Sequence, residues 1–136
     1  MPRALLVRHC TIELFALRSG LAVEIHESLA ERCLSPEPID HWREVVERSF
    51  QEPGFRVSGG ESGAETLARG WEAIQAVLQT GHLLPAVVSH GQLLSLVLHS
   101  IEPSFGYAAW RSLSNPDVYL IEGNANGAFM FKRGWP

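Results

Sequence analysis

The sequence is poor in cysteine, with only Cys10 and Cys33 among 136 residues. Their spacing matches no zinc pattern, and so few thiols suit a reducing, cytoplasmic setting. No apolar run approaches the length of about 18 residues that a membrane-spanning helix needs. After Met1-Pro2-Arg3 there is no apolar stretch with a small-residue cleavage site, so secretion is not expected. A basic excess is also missing: 11 Lys and Arg stand against 15 Asp and Glu, a formal charge of −4. That balance argues against nucleic acid or an anionic membrane as the main partner, and any anionic ligand would need a local cluster of Arg and His. Internal repeats and low-complexity tracts are absent. No carboxylate cluster suits magnesium, so neither a metal nor another cofactor is expected.

What remains is an ordinary globular composition, 46% hydrophobic and 19% charged. Its length fits one domain, residues 1–136, with a single core. The chain is organised around Leu5-Leu6-Val7-Arg8-His9, a buried-strand run that ends in a cation and an imidazole. Ala86-Val87-Val88-Ser89-His90-Gly91 repeats that arrangement downstream. In open α/β sheets ligands bind beyond the carboxyl ends of strands, so both runs would deliver histidine to a site rim.

Between and beyond these runs the patterning predicts the remaining elements. Thr11 is placed to cap a helix through Leu17 that Gly20 ends, and Leu21 to His26 alternates like a half-buried strand. On that strand His26 falls on the polar side, as a solvated residue. Pro36-Glu37-Pro38 breaks the chain before an amphipathic helix from Ile39 to Phe50, in which Trp42 reads as core. Residues 52–60 form a turn-rich connector. Ser62 and Glu65 then have capping-box spacing at the head of a long helix whose stripe runs from Leu67 to Leu78. Further expectations are a helix from Gly91 to about Ile101, a short helix within Ser104 to Ser112, and a hairpin of Val118–Glu122 with Ala128–Lys132. The reading is an α/β fold with a mostly parallel sheet and an antiparallel C-terminal hairpin.

A lone histidine at a strand end is usually structural, but two at equivalent ends suggest a shared anion. Neutral imidazole forms phosphoryl intermediates near neutral pH, and the forked cation of Arg8 suits phosphate oxygens. Gly91, opening a helix, lets backbone amides approach an anion.

These residues also carry a family resemblance. Leu5 to His9 resembles the Arg-His-Gly signature of the histidine phosphatase superfamily, the phosphoglycerate-mutase-like proteins. Leu29-Ala30-Glu31-Arg32 is similar to its acid-bearing loop, Gly59-Gly60-Glu61-Ser62 with Glu65 and Arg69 to its Gly-Glu-Ser helix start, and Val87 to Gly91 to its second-histidine strand. The resemblance implies a three-layer α/β sandwich. It casts His9 as phosphate acceptor, Glu31 as the acid that protonates the leaving oxygen, His90 as a further catalytic residue, and Arg8, His90 and Gly91 as the phosphate pocket. The implied partner is a small phosphorylated substrate or inorganic phosphate.

The sequence departs from the family in two places. Cys10 stands where glycine normally follows the nucleophile. The family's βα unit of roughly thirty residues after the first motif is missing, and with it a phosphate-binding arginine; Arg32 is the candidate replacement. Losing a strand leaves backbone groups to re-pair, which predicts a rearranged sheet or a homo-oligomer. A phosphomonoester hydrolase is the leading expectation. A mutase-type phosphotransferase is less favoured because few cations are available for a second phosphate. The other readings are an inactive phosphate-binding or interaction domain, and transition-metal binding by His9, Cys10 and His90.

Overall fold

A computed structural model describes residues 3–8, as backbone, and residues 12–134. His9, Cys10 and Thr11 lie outside the described residues. The elements are β1 (Arg3–Arg8), α1 (Ile12–Ser19), α2 (Trp42–Gln51), α3 (Gly63–Leu78), β2 (Ala86–Ser89), α4 (Gly91–Ile101), α5 (Tyr107–Arg111), β3 (Val118–Gly123) and β4 (Phe129–Arg133). A 3-10 turn spans Glu27–Leu29.

The strands form one mixed sheet in the order β2-β1-β3-β4. β1 runs parallel to β2, with Leu5 opposite Ala86 and Arg8 opposite Ser89. On its other side β1 is antiparallel to β3, and β3 is antiparallel to β4. The C-terminal hairpin is therefore present, but the expectation of a mostly parallel sheet is corrected: only β1 with β2 is parallel among the described strands. The hairpin loop closes as its composition demands, with Asn124 Oδ1 accepting from the Asn126 and Ala128 amides.

The strand expected from Leu21 to His26 is a second correction. Those residues are exposed and form no strand. Alternation licenses a strand only where a sheet edge is near enough to pair with it, and the described sheet offers this segment none. The helix before it does end where expected, at Gly20, whose φ of +66° is left-handed backbone that glycine adopts without strain.

The core lies between the sheet and the pair α3 and α4. Ile74 of α3 and Leu93, Leu94, Val97 and Leu98 of α4 pack on Val87 of β2 and on Tyr119 and Ile121 of β3. The two β3 residues are two apart, so they share a sheet face; the four α4 residues follow helical spacing. Each fully buried aliphatic side chain contributes about 1.5–3 kcal/mol relative to exposure. α2 buries Val45, Val46 and Ser49, whereas Trp42, expected in the core, is only half-buried and meets Trp110 of α5 edge to face at 6.1 Å outside the core cluster. Among the described residues no helix is long and apolar enough to cross a membrane.

Candidate functional site

The site is built at the carboxyl ends of β1 and β2. Arg8 pairs with Ser89, and in the sequence a histidine follows each strand, His9 after β1 and His90 after β2. His90 is half-buried, has extended backbone, and is the N-cap of α4 without a side-chain cap bond. An α-helix leaves its first amides without intrahelical acceptors, so something else must satisfy them.

That acceptor is Glu31. Its Oε2 accepts from the Gln92 amide at 3.0 Å, and its Oε1 from the Leu93 amide at 3.1 Å. Oε1 also accepts from the Arg32 amide at 2.9 Å. The fold thus brings together the sequence-predicted acid and the start of the second-histidine helix, about 60 residues further along the chain. It also fills the anion position that the α4 amides were expected to offer a ligand: the carboxylate is the anion held there, directly after Gly91.

Glu31 is held by a polar frame. Ser89 Oγ, fully buried, donates to the Leu29 carbonyl at 2.6 Å and ties the loop to the end of β2. Arg69 of α3 grips the same loop. Its Nη1 donates to the carbonyls of Ser28 and Ala30 at 2.8 and 2.7 Å, while Nε and Nη2 bind the Glu61 carboxylate at 2.7 and 2.9 Å. Glu61 in turn accepts from the Cys33 amide at 3.1 Å. The Arg69 bond holds the Glu61 carboxyl below the usual range, with the Cys33 amide acting in the same sense against partial burial.

Gly60 makes this approach possible. A Cβ there would clash with the Leu34 carbonyl oxygen, so only glycine lets the Glu61 segment lie against residues 33 and 34.

Arg32 spends its donors inside the protein, which corrects the expectation that it offers them to a phosphate. It is buried, Nε and Nη2 donate to the Glu61 carbonyl, and Nη1 donates to Ser49. Burial lowers its pKa from the usual value, against the neighbouring charges of Glu61, Glu31 and Glu65. Its donors join α2 to the loop before α3, a structural task.

Ser62 and Glu65 form the expected capping box. Glu65 Oε2 accepts from the Ser62 amide at 2.8 Å and Ser62 Oγ from the Glu65 amide at 3.1 Å. Arg56 pairs with the other Glu65 oxygen at 2.9 Å. His26 is exposed, 4.0 Å from Glu24, as its polar position implied. No cluster of three His, Cys, Asp or Glu groups could hold a metal ion among the described residues.

Sequence reasoning places Glu61 and Arg69 in a motif but misses what they do. No periodic signal is available: Glu61 precedes the N-cap Ser62 while Arg69 lies inside α3, so helical spacing does not pair them.

The mixed sheet, the paired strand ends and the loop acid bound at the start of the following helix define an α/β protein with its polar site at the strand ends. The family model of the histidine phosphatase superfamily (branch 1) matches residues 6–133, and the chain belongs to that superfamily. Among solved structures it is similar to Mycobacterial hydrolase 1, at a TM-score of 0.67 and 18% identity, over 90% of this chain and 67% of the other. It is also similar to YhfR of Bacillus stearothermophilus, at a TM-score of 0.63 and 18% identity, over 93% and 69% of the respective chains. At that identity the likeness concerns the fold. No curated protein matches significantly.

Proposed function

We propose that the chain is a cytoplasmic phosphomonoester hydrolase working through a phosphohistidine at His9. The imidazole of His9 attacks phosphorus, the ester P–O bond breaks, and Glu31 gives its proton to the leaving oxygen. Water then attacks the phosphohistidine, its proton returns to Glu31, and phosphate leaves with the imidazole restored. Arg8 and His90 hold the phosphate oxygens, and Gly91, without a side chain, leaves them room beside the helix start that Glu31 occupies. The observation that carries this reading is the register of Arg8 with Ser89, combined with the Glu31 carboxylate on the amides just past His90.

Glu31 Oε1 already takes two amide hydrogens, whereas Oε2 takes one. Oε2 is therefore the oxygen with room for the transferable proton. Hydrolysis is favoured over a mutase reaction because Arg32, Arg56 and Arg69 are engaged with the protein's own acceptors, leaving them unavailable to a second phosphate. Cys33, an exposed free thiol, suits a reducing compartment.

The same reading treats the chain as a three-layer family member lacking one βα unit after β1. Its support is that the similar structures are covered only to 67% and 69% of their own length.

A radiolabelled phosphomonoester should leave acid-labile label on the protein, absent in His9→Ala. Label that survives this substitution rejects His9. Glu31→Ala should slow alkyl phosphates more than p-nitrophenyl phosphate, whose phenolate leaves without a proton.

One observation favours a second reading, a phosphate-binding domain without turnover: Arg32 is engaged inside the protein and does not stand in for the arginine expected to be lost. Saturable phosphate binding without label transfer or hydrolysis would identify that case.

A further inference from the structure

Among the described residues, two buried side-chain polar atoms have no hydrogen-bond partner, Gln92 Oε1 and Ser95 Oγ. An unpaired buried acceptor lowers the stability of a folded protein, so one that persists calls for a donor the fold does not contain. Ser95 is turned to Leu113 and Tyr119, against the sheet. Gln92 stands elsewhere. It lies in the first turn of α4, two residues after His90, and its own amide is the one that Glu31 Oε2 binds at 3.0 Å.

Helical spacing fixes the side on which the Gln92 carboxamide lies. Gln92, Leu96 and His99 follow one another at i, i+4 and i+7, a single stripe of α4. His99 meets the Phe50 ring of α2 at 5.3 Å, and Leu96 meets the Ser49 carbonyl of α2 across Gly63. The stripe therefore faces α2. Helical side chains lean toward the N-terminus, so the carboxamide reaches past the helix start, on the side where Arg32 ties the Glu31 loop to α2. The residue as a whole is half-buried and its terminal torsion is soft, so the amide can turn to a ligand without moving the helix. Turning it over in place exchanges one unpaired end for the other.

We infer that Gln92 is the specificity residue for the leaving alcohol. Its Oε1 accepts from a hydroxyl on the carbon next to the ester carbon, so the preferred substrate is the monoester of a diol or polyol. The inference rests on the phosphohistidine reading above, in which Glu31 Oε2 protonates the leaving oxygen. The side chain of the residue bound to Oε2 then stands beside the alcohol rather than the phosphate. A neutral carboxamide meets a hydroxyl as acceptor or as donor, and has no charge to offset an ammonium.

Phosphonates test this without turnover, because their P–C bond is not hydrolysed. Hydroxypropylphosphonate, with its hydroxyl at the chain end, and butylphosphonate differ only in a terminal hydroxyl against a methyl. Calorimetric titration into the full chain gives both dissociation constants. The wild type should prefer the hydroxylated ligand about tenfold. In Gln92→Met, similar in length and shape, that ratio should fall to about one. The melting midpoint of the free variant should hold or rise, because the replaced carbonyl has no partner in the fold.

A wild type that binds the two ligands alike, or neither, overturns the inference, and so does a preference that survives Gln92→Met. A lowered midpoint in the free variant also overturns it, since the carbonyl then has a structural partner. Failure of the hydrolase reading looks different: the preference is present and depends on Gln92 while no phosphomonoester is turned over, which leaves Gln92 as the hydroxyl acceptor of a binding domain. Turnover of phosphomonoesters without the preference keeps the hydrolase and removes Gln92 from its specificity.

Discussion

Arg69 binds the Ala30 carbonyl at 2.7 Å across 39 residues of chain, and so fixes the residue immediately before Glu31. The same guanidinium also holds Ser28 and Glu61, which makes it a positioning residue for the acid. Arg69→Met should cost about 2–3 kcal/mol, measured by urea unfolding, since it leaves the partly buried Glu61 carboxylate without its cation. Turnover of a phosphomonoester should fall by roughly 10–100-fold in kcat with little change in KM, because Glu31 loses its placement and the phosphate pocket does not.

Glu31 is a cap supplied from a distant loop. Glu31→Ala should destabilise the fold by about 1–2 kcal/mol, and amide exchange at Gln92 and Leu93 should accelerate in NMR spectra. Glu31→Gln retains one amide-accepting oxygen and should give a smaller loss of stability. If the Gln92 and Leu93 amides exchange at wild-type rates in the alanine variant, the capping role fails.

Ser62 is a cap too, of the local kind. Ser62→Ala should cost about 1 kcal/mol and leave kcat/KM per folded molecule unchanged. A large loss of kcat/KM without loss of stability would instead mark direct substrate contact.

Stability should fall in acid with a defined sign. Glu61 is held below the usual carboxylate range, chiefly by Arg69. Burial pushes Asp117 up, but Arg133 and the Ser114 and Val118 amides outweigh it, so it too lies below its usual value. Groups depressed on folding contribute fully above the unfolded value, about pH 4, and lose that contribution as the pH falls through the folded value. The urea midpoint should therefore hold steady from neutrality to mildly acid pH and decline below about pH 4. Arg133→Met should flatten part of that decline, because Asp117 then titrates more nearly alike in both states.

Most of the architecture is legible in the sequence because local signals and tertiary contacts agree. Ser62 and Glu65 announce the head of α3, Gly20 the end of α1, and residues 123–127 the hairpin. The segment Leu21–His26 misleads because alternation reports side-chain faces and says nothing of whether a neighbouring strand exists. At the site, the motif residues are visible in the sequence, but their division of labour is not. Arg32 and Arg69 are both arginines in acid-bearing motifs; only the fold reveals that one is buried on Ser49 while the other clasps the loop of Glu31. Long-range hydrogen bonds of that type leave no periodic trace.

The interior place of β1 has a consequence for how the molecule is made. β1 finds one neighbour only after residues 86–89 have emerged from the ribosome and the other only after residues 118–123. The sheet can close only once β3 and β4 have followed β1 and β2 out of the ribosome, with folding paced by distant contacts. A stalled or truncated product ending before β3 would expose a bare strand flank and invite pairing with another nascent chain.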